Sequence, residues 1–290
     1  MPVLSVGMPV FNGARWIEDA LESILGQAYR DLELIIADNA SDDDTEAICR
    51  RAAERDGRVR YVRNEANLGI YENFNRVYRL SSGKYFKWAA CSDICLDGFF
   101  EKCVAVLDAR PDVVLAYPKA FLLVDHPLGK VVAQPYEDNL NIEDDNPSQR
   151  FIEYLNRERI NNVMHGVIRA ASLEGTALHL PLPGSDISLV AELSLRGKFV
   201  EIPDRLFLRR FNAETSSLLM TRETAKRLAT PHEKSIVGRI KLHSYRFVTA
   251  AKAPISFGDK CKVWWYLVGR VAMLRHQVIR KLIRIVMPAR

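Results

Sequence analysis

At 290 residues, with 48% hydrophobic and 27% charged side chains, the chain can bury a large core as one big domain, or one plus an appendage. Its formal net charge of +5 is too small to argue for nucleic acid as a partner. Residues 1–4 run straight into a strand pattern with neither a basic stretch nor a small-residue cleavage site, so no secretory signal is expected. The five cysteines (Cys49, Cys91, Cys95, Cys103 and Cys261) lack paired metal-binding spacing and read as free, mostly buried thiols of a reducing compartment.

In chain order, residues 3–9 read as a strand, and a helix opening at Asn12 or Gly13 carries Trp16, Ala20, Ile24 and Leu25 at helical spacing. A strand over 32–37, a helix over 45–55, a strand over 58–63, a helix over 71–80 and a strand over 84–89 follow. Short strands alternating with helices argue for βαβ units and a parallel sheet. After a helix over 98–107, for which Asp97 is the expected cap, the rhythm changes. One or two strands fall in 113–124 and a turn in 125–129. Residues 135–146 are acidic, polar and aperiodic, which predicts a mobile surface loop. Helices are expected over 148–156 and 186–195, and separate short strands over 199–202 and 206–210.

The last thirty or so residues stand apart in composition. Trp264, Leu267, Val268, Val271, Leu274, Val278, Leu282 and Ile285 make one helical stripe, with Arg270, Gln277, Lys281 and Arg284 opposite. The apolar run is far too short to span a bilayer, which takes about 20 residues. A membrane-lying amphipathic helix and a helix docked on the protein body are both open, the run of basic residues to Arg290 leaning toward the first.

Two segments carry the chemistry. Residues 5–12 (SVGMPVFN) and 34–45 (LIIADNASDDDT) are apolar runs that stop abruptly in small polar residues. In an open parallel sheet, ligands bind at the carboxyl ends of strands. This pair of segments resembles the start of the inverting family 2 glycosyltransferases. The resemblance extends over residues 3–215 and is most specific in the first hundred. It implies a GT-A fold: a Rossmann-like α/β domain with a mostly parallel central sheet flanked by helices, here with a C-terminal helical extension. Residues 1–115 would form the nucleotide-sugar-binding half, 116–220 the acceptor-binding half, and 221–290 the helical region with its basic amphipathic tail.

By that resemblance Pro9, Phe11, Asn12, Asp38 and Asn39 lie beside the nucleotide, with Ser41 and Asp43 in the same turn. Asn67 and Gly69 come from a third loop (NEANLGIYENFN, 64–75). Asp38 and its neighbours can equally be a helix-capping loop, with Asp42 and Asp44 the expected caps; the place of Asp38 directly after a strand favours the ligand role. In residues 85–100 (YFKWAACSDICLDGFF), Asp93 matches the family's metal-binding acid, for Mg2+ or Mn2+. Ser92 stands where relatives carry a first acid facing the ribose, and one carboxylate plus substrate phosphates can still hold Mg2+.

Asp186, in the turn 183–186 (PGSD), matches the family's catalytic base and competes with a plain N-cap role. Arg209 and Arg210 can reach a diphosphate, for which the guanidinium fork is suited, or be solvated. His165, in an apolar stretch, is either a core histidine or an acceptor contact. The implied activity is inverting, metal-dependent transfer from a nucleotide-sugar to a glycan or lipid-linked acceptor in surface-glycan assembly. The implied location is the cytoplasm, peripheral to the inner membrane face. A catalytically weakened nucleotide-sugar binder, suggested by Ser92, and a nucleotidyltransferase are the alternatives. Phosphate-loop, dinucleotide and serine-hydrolase motifs do not occur at the needed places.

Overall fold

The structure is a computed structural model that describes residues 2–125, 131–210 and 236–286, with side chains described over 2–124, 132–210 and 241–272. Strand β1 (Leu4–Val10) lies between β2 (Leu32–Asp38) and β4 (Tyr85–Trp88), and β3 (Val59–Arg63) extends the sheet beyond β2, all parallel. Helices α1 (Ile17–Leu25), α2 (Thr45–Arg55) and α3 (Ile70–Arg79) connect them. Every residue of β1 is buried, as expected of a central strand covered on both faces. The second half adds β5 (Ile94–Cys95), α4 (Phe99–Ala109), β6 (Val113–Asp125), β7 (Val131–Tyr136), α5 (Pro147–Arg157), β8 (Val167–Arg169), α6 (Ser185–Arg196) and β9 (Lys198–Arg210). The sheet order is β3-β2-β1-β4-β8-β6-β9-β5, with β7 on β6. β8 runs antiparallel to both β4 and β6, so the two halves meet across a reversed strand.

The period-two alternation of the strands divides the core between the sheet's faces. Leu32, Leu34 and Ile36 of β2 pack with Leu4, Val6 and Met8, under Ile24 of α1, Cys49 of α2 and Phe100 of α4. Ile35 and Ala37 face the opposite layer, where Val77 of α3, Phe151 of α5 and Leu189 of α6 lie. Gly7 is required at this crossing: a Cβ there would stand 2.8 Å from both Phe86 Cζ and Val77 Cγ2. Pro9 is tolerated in a central strand because the β1–β4 pairing runs only from Leu4 to Gly7, short of the missing N–H.

The alternation of the first half is as the sequence suggests, with three differences nearby. The first helix begins at Ile17, after a turn in which Gly13 O accepts from both Trp16 N and Ile17 N. Asp97 accepts from Ala28 N at 3.2 Å instead of capping α4, whose N-cap is Gly98 in the left-handed conformation. Asp43, rather than Asp42 or Asp44, binds the start of α2, through Thr45 N at 3.0 Å.

The stretch 135–146 is not the mobile surface loop its polarity suggests. β7 runs through Tyr136, Leu140 and Ile142 are fully buried, and Ile142 bridges Phe199. Two apolar residues spaced two apart were enough to anchor it. Residues 199–202 and 206–210 are one strand, β9, pairing with β6 across register shifts near Pro118 and Lys119. Of the turn expected over 125–129, Asp125 ends β6 and 126–129 lie outside the described residues.

Helices α7 (Ile236–Lys252) and α8 (Phe257–Val286) complete the described chain. The first half of α8 is docked: Val263 and Leu267 are buried beside Phe151 and Leu155, with Trp264 packed against the same cluster. Arg270, expected on the outer face, turns inward and donates to Leu155 O at 2.7 Å and Tyr266 Oη at 2.9 Å. Phe257, Trp265, Val268 and Val271 are exposed instead. The rest of the expected stripe, from Leu274 onward, concerns side chains outside the described residues. Among the described residues no helix is long and apolar enough to cross a membrane.

Candidate functional site

The carboxyl ends of β1, β2 and β4 share one edge of the sheet, and three loops are tied together there. Asn12, in the left-handed region at φ 52°, donates its N–H to Ser41 Oγ at 2.9 Å and accepts from Asp42 N at 3.0 Å. Gly13 N donates to Thr45 Oγ1 at 2.8 Å and Ala14 N to Asp43 Oδ2 at 3.0 Å. The third loop is held by asparagines. Asn39 donates to Asn67 Oδ1 at 2.7 Å and accepts from Leu68 N at 2.8 Å and Asn64 Nδ2 at 2.9 Å. Asn67 also accepts from Gly69 N at 2.9 Å, and Gly69, at φ 82°, opens α3. Asn39 and Asn67 are thus occupied in shaping the loops, and Phe11, nearly half exposed, is the large aromatic surface this edge presents.

Asp38 is wholly buried, and all four acceptor positions of its carboxylate are filled. Oδ1 accepts from Ser41 N at 2.9 Å and Ser41 Oγ at 2.6 Å; Oδ2 accepts from Tyr61 Oη at 2.7 Å and Arg63 Nη1 at 2.6 Å. Burial works to raise its pKa, but the hydrogen bonds from Ser41, Tyr61 and Arg63 outweigh it and hold the group below the usual carboxylate range. A base cannot reach this carboxylate without displacing Tyr61 or Arg63, so those two side chains stand between Asp38 and any ligand. Neither was indicated by the sequence pattern; both lie on β3 (VRYVR), a short strand that carries no binding motif.

The second cluster is built on the segment after β4. Asp93 is buried, with Oδ1 accepting from Arg210 N at 2.9 Å and, weakly, from Ser92 Oγ at 3.4 Å. Burial raises its pKa, opposed by Arg209, the Arg210 N–H and Lys87. The Ser92 carbonyl accepts from Arg210 Nε at 3.3 Å, and the Arg210 guanidinium lies 3.9 Å above the Trp16 ring, joining β9 to the loop after β1. Arg209 donates to Ile160 O at 2.8 Å and is close enough to Asp93 and Asp138 to lower the pKa of both. Asp138, buried against Tyr136 Oη and Val163 N, is a further acid that the polarity of its segment concealed.

Lys87 is also missed by motif reading. It is fully buried on β4, with Nζ 4.8 Å from the Phe99 ring and 5.1 Å from that of Phe207. It donates to Trp88 O at 3.2 Å and to His165 O. Burial lowers its pKa, while Asp93 nearby works to raise it.

Asp186 sits in the first turn of α6, whose N-cap is Gly184 at φ 81° with no side-chain cap. The carboxylate is therefore not spent on its own helix. Instead Oδ2 accepts from Asn161 Nδ2 at 2.8 Å, and Tyr154 Oη fixes that amide by donating to Asn161 Oδ1 at 2.7 Å. Asn161 precedes a short 3-10 turn, Asn162–His165, and His165 Nδ1 stands 4.0 Å from Asp93 Oδ2. One five-residue segment thus binds Asp186 at its start and brings His165 to face Asp93 at its end. Ser92, Asp93, His165, Arg209 and Arg210 come together here. Pro9, Phe11, Asn12, Asp38, Asn39, Asn67 and Gly69 form the neighbouring strand-end cluster, linked to it through Trp16.

A mixed sheet with its carboxyl edge opened this way, covered by helices on both faces, defines a GT-A fold. TarS of Staphylococcus aureus, solved as residues 1–349 with UDP, superposes at a TM-score of 0.61 and 15% identity, covering 91% of this chain and 70% of that one. The mannosyltransferase PcManGT of Pyrobaculum calidifontis, solved with GDP-Man and Mn2+, superposes at 0.55 and 17% identity, covering 94% and 80%. The model of glycosyl transferase family 2 matches residues 5–168, and the chain belongs to that family. Among curated relatives, a GalNAc(5)-diNAcBac-PP-undecaprenol beta-1,3-glucosyltransferase of Campylobacter jejuni is 34% identical over 34% of this chain and 32% of its own length. An uncharacterized glycosyltransferase of Haemophilus influenzae is 27% identical over 46% of this chain and 41% of its own. The chain thus spans well under half the length of these relatives.

Proposed function

We propose that the protein transfers a sugar from a nucleoside-diphosphate donor to an acceptor hydroxyl with inversion at the anomeric carbon. The observation that carries this reading is the segment 161–165, whose first residue binds Asp186 and whose last faces Asp93, so that the two acids are held from one short stretch of chain. Membership of the family and the folds seen with UDP and GDP-Man support it.

In this reading Phe11 stacks on the base, and Arg63 and Tyr61, backed by Asp38, line its far side. Residues 1–115 serve the donor and 116–220 the acceptor. Asp186, oriented by Asn161 and Tyr154, takes the proton of the acceptor hydroxyl as its oxygen attacks the anomeric carbon, and the nucleoside diphosphate leaves from the opposite face. A single attack of this kind inverts the centre.

The donor set suits a divalent ion bound together with a substrate diphosphate: Asp93 offers Oδ2, and Mg2+ or Mn2+ sites commonly combine one or two carboxylates with phosphates and water. Among the described residues no group of three or more His, Cys, Asp or Glu forms a complete protein cage, so the phosphates must complete the shell. Such an ion would neutralise the charge developing on the departing diphosphate.

The exposed Phe257, Trp265, Val268 and Val271 with the basic tail beyond them support a peripheral membrane role, in keeping with a lipid-linked acceptor in surface-glycan assembly. The test is incubation with UDP-, GDP- and dTDP-sugars and a lipid-linked or free saccharide acceptor. Released nucleoside diphosphate and a glycoside of opposite anomeric configuration by NMR are the expected products. Pyrophosphate release, or no turnover with bound donor, refutes the proposal.

A further inference from the structure

His165 is placed as no core histidine need be. Its ring stacks near Phe207, 5.4 Å between centroids and 30° between planes, and its backbone oxygen is held by Lys87. Its Nδ1 is buried and has no hydrogen-bond partner among the described residues. That orphaned nitrogen faces Asp93 Oδ2 across 4.0 Å, too far for a hydrogen bond. The other oxygen of Asp93 is engaged by Arg210 N and Ser92 Oγ. An unused imidazole lone pair and a carboxylate oxygen therefore confront one another with a gap between them. First-row divalent ions take nitrogen and oxygen ligands at about 2.1 Å. Two such bonds span between about 3 Å at a right angle and about 4.2 Å when opposed, so the gap accepts such an ion with only a small adjustment.

We propose that His165 Nδ1 and Asp93 Oδ2 bind the divalent cation as a pair, and that this nitrogen–oxygen pair makes the site select Mn2+ over Mg2+. The proposal rests on the glycosyltransferase reading, because the donor's diphosphate supplies the remaining ligands. A neutral imidazole with its proton on Nε2 presents Nδ1 as a lone pair. Mg2+ prefers an all-oxygen shell, whereas first-row transition ions accept imidazole. Arg209 and Lys87 also oppose a bare cation here, so Mn2+ should bind well only together with the diphosphate.

The experiment is titration of the full chain with Mn2+, followed by the loss of the free-ion EPR signal, with and without UDP or GDP. UDP or GDP should tighten Mn2+ at least tenfold, and Mg2+ should compete at least tenfold more weakly than its Mn2+ affinity standard. Pulsed EPR of the ternary complex should show a nitrogen coupling that changes isotope pattern when the protein carries 15N-histidine. His165→Phe, which keeps the stack on Phe207, should lose that coupling and weaken Mn2+ in the ternary complex about tenfold or more. His165→Asn tests the same site with a smaller polar group, and metal-free UDP binding by each variant shows that it is folded. Absence of a histidine coupling with Mn2+ and nucleotide bound, or unchanged Mn2+ affinity in His165→Phe, overturns the inference while leaving the glycosyltransferase reading intact. Failure of wild type to bind UDP or GDP with any cation overturns both.

Discussion

Asp38→Asn separates a carboxylate that anchors the protein from one that touches a ligand. The amide keeps an oxygen for Ser41 N and Oγ but sets an NH2 against Tyr61 Oη and Arg63 Nη1, which already donate at 2.7 and 2.6 Å. Removing one partner of a buried ion pair costs about 3–5 kcal/mol. Arg63 is one-third exposed and has Glu46 within 3.3 Å as a second partner, which places the loss at the lower end, about 3 kcal/mol. For a chain of this size that is a fall of about 6 °C in Tm. Urea unfolding of wild type, Asp38→Asn, Arg63→Met and the double variant measures the pair directly. The anchoring should also depend on pH. The carboxylate's folded pKa lies below its unfolded value, so its contribution is complete above about pH 4 and fades as pH falls through the lower, folded value. The acid limb of the wild-type stability curve should therefore be steeper than that of Asp38→Asn. A variant with less than about 1 kcal/mol of lost stability but strongly reduced UDP affinity would show the carboxylate free for the ligand, and would refute the reasoning from its four filled positions.

Asp186→Asn preserves size and the contact with Asn161 but removes the base. Turnover should fall about 10²–10⁴-fold with nucleoside-diphosphate affinity unchanged, and equal losses in both would point to a structural role. Gly7→Ala forces a methyl against Phe86 and Val77 at 2.8 Å and should cost about 1–3 kcal/mol in chemical denaturation; an unchanged midpoint would mean that α3 can retreat from the sheet. Trp265→Ser with Phe257→Ser should reduce co-sedimentation with anionic vesicles and leave turnover on a soluble acceptor intact. Point changes are preferred to deleting α8, since Val263 and Leu267 are fully buried and their loss would open the core. Vesicle binding that survives the double change rules out this face as the contact.

The alternating strands and helices of the first half were readable because period two and period 3.6 are local properties, and the chain there obeys both. Strand ends expected at 9, 37 and 89 fall within one residue of those observed at 10, 38 and 88, since an apolar run ending in small polar residues marks the sheet edge. Polarity misled at 135–146, where Leu140 and Ile142 decide the path through contacts with distant strands. The outward face of α8 was not legible either: Arg270 turns inward because carbonyl and hydroxyl acceptors at Leu155 and Tyr266 wait for it.

The residue order by itself determined the strand–helix rhythm, the placing of Asp38, Asp93 and Asp186 at element ends, and the family. Only the tertiary structure decided what each carboxylate faces. Asp38 was turned inward by Tyr61 and Arg63 from β3, Asp186 was freed by a glycine cap and caught by Asn161, and His165 was brought to Asp93 by a reversed strand. Those partners are 23 to 72 positions apart, and electrostatic and hydrogen-bond energies depend on distance in space, which spacing along the chain does not encode.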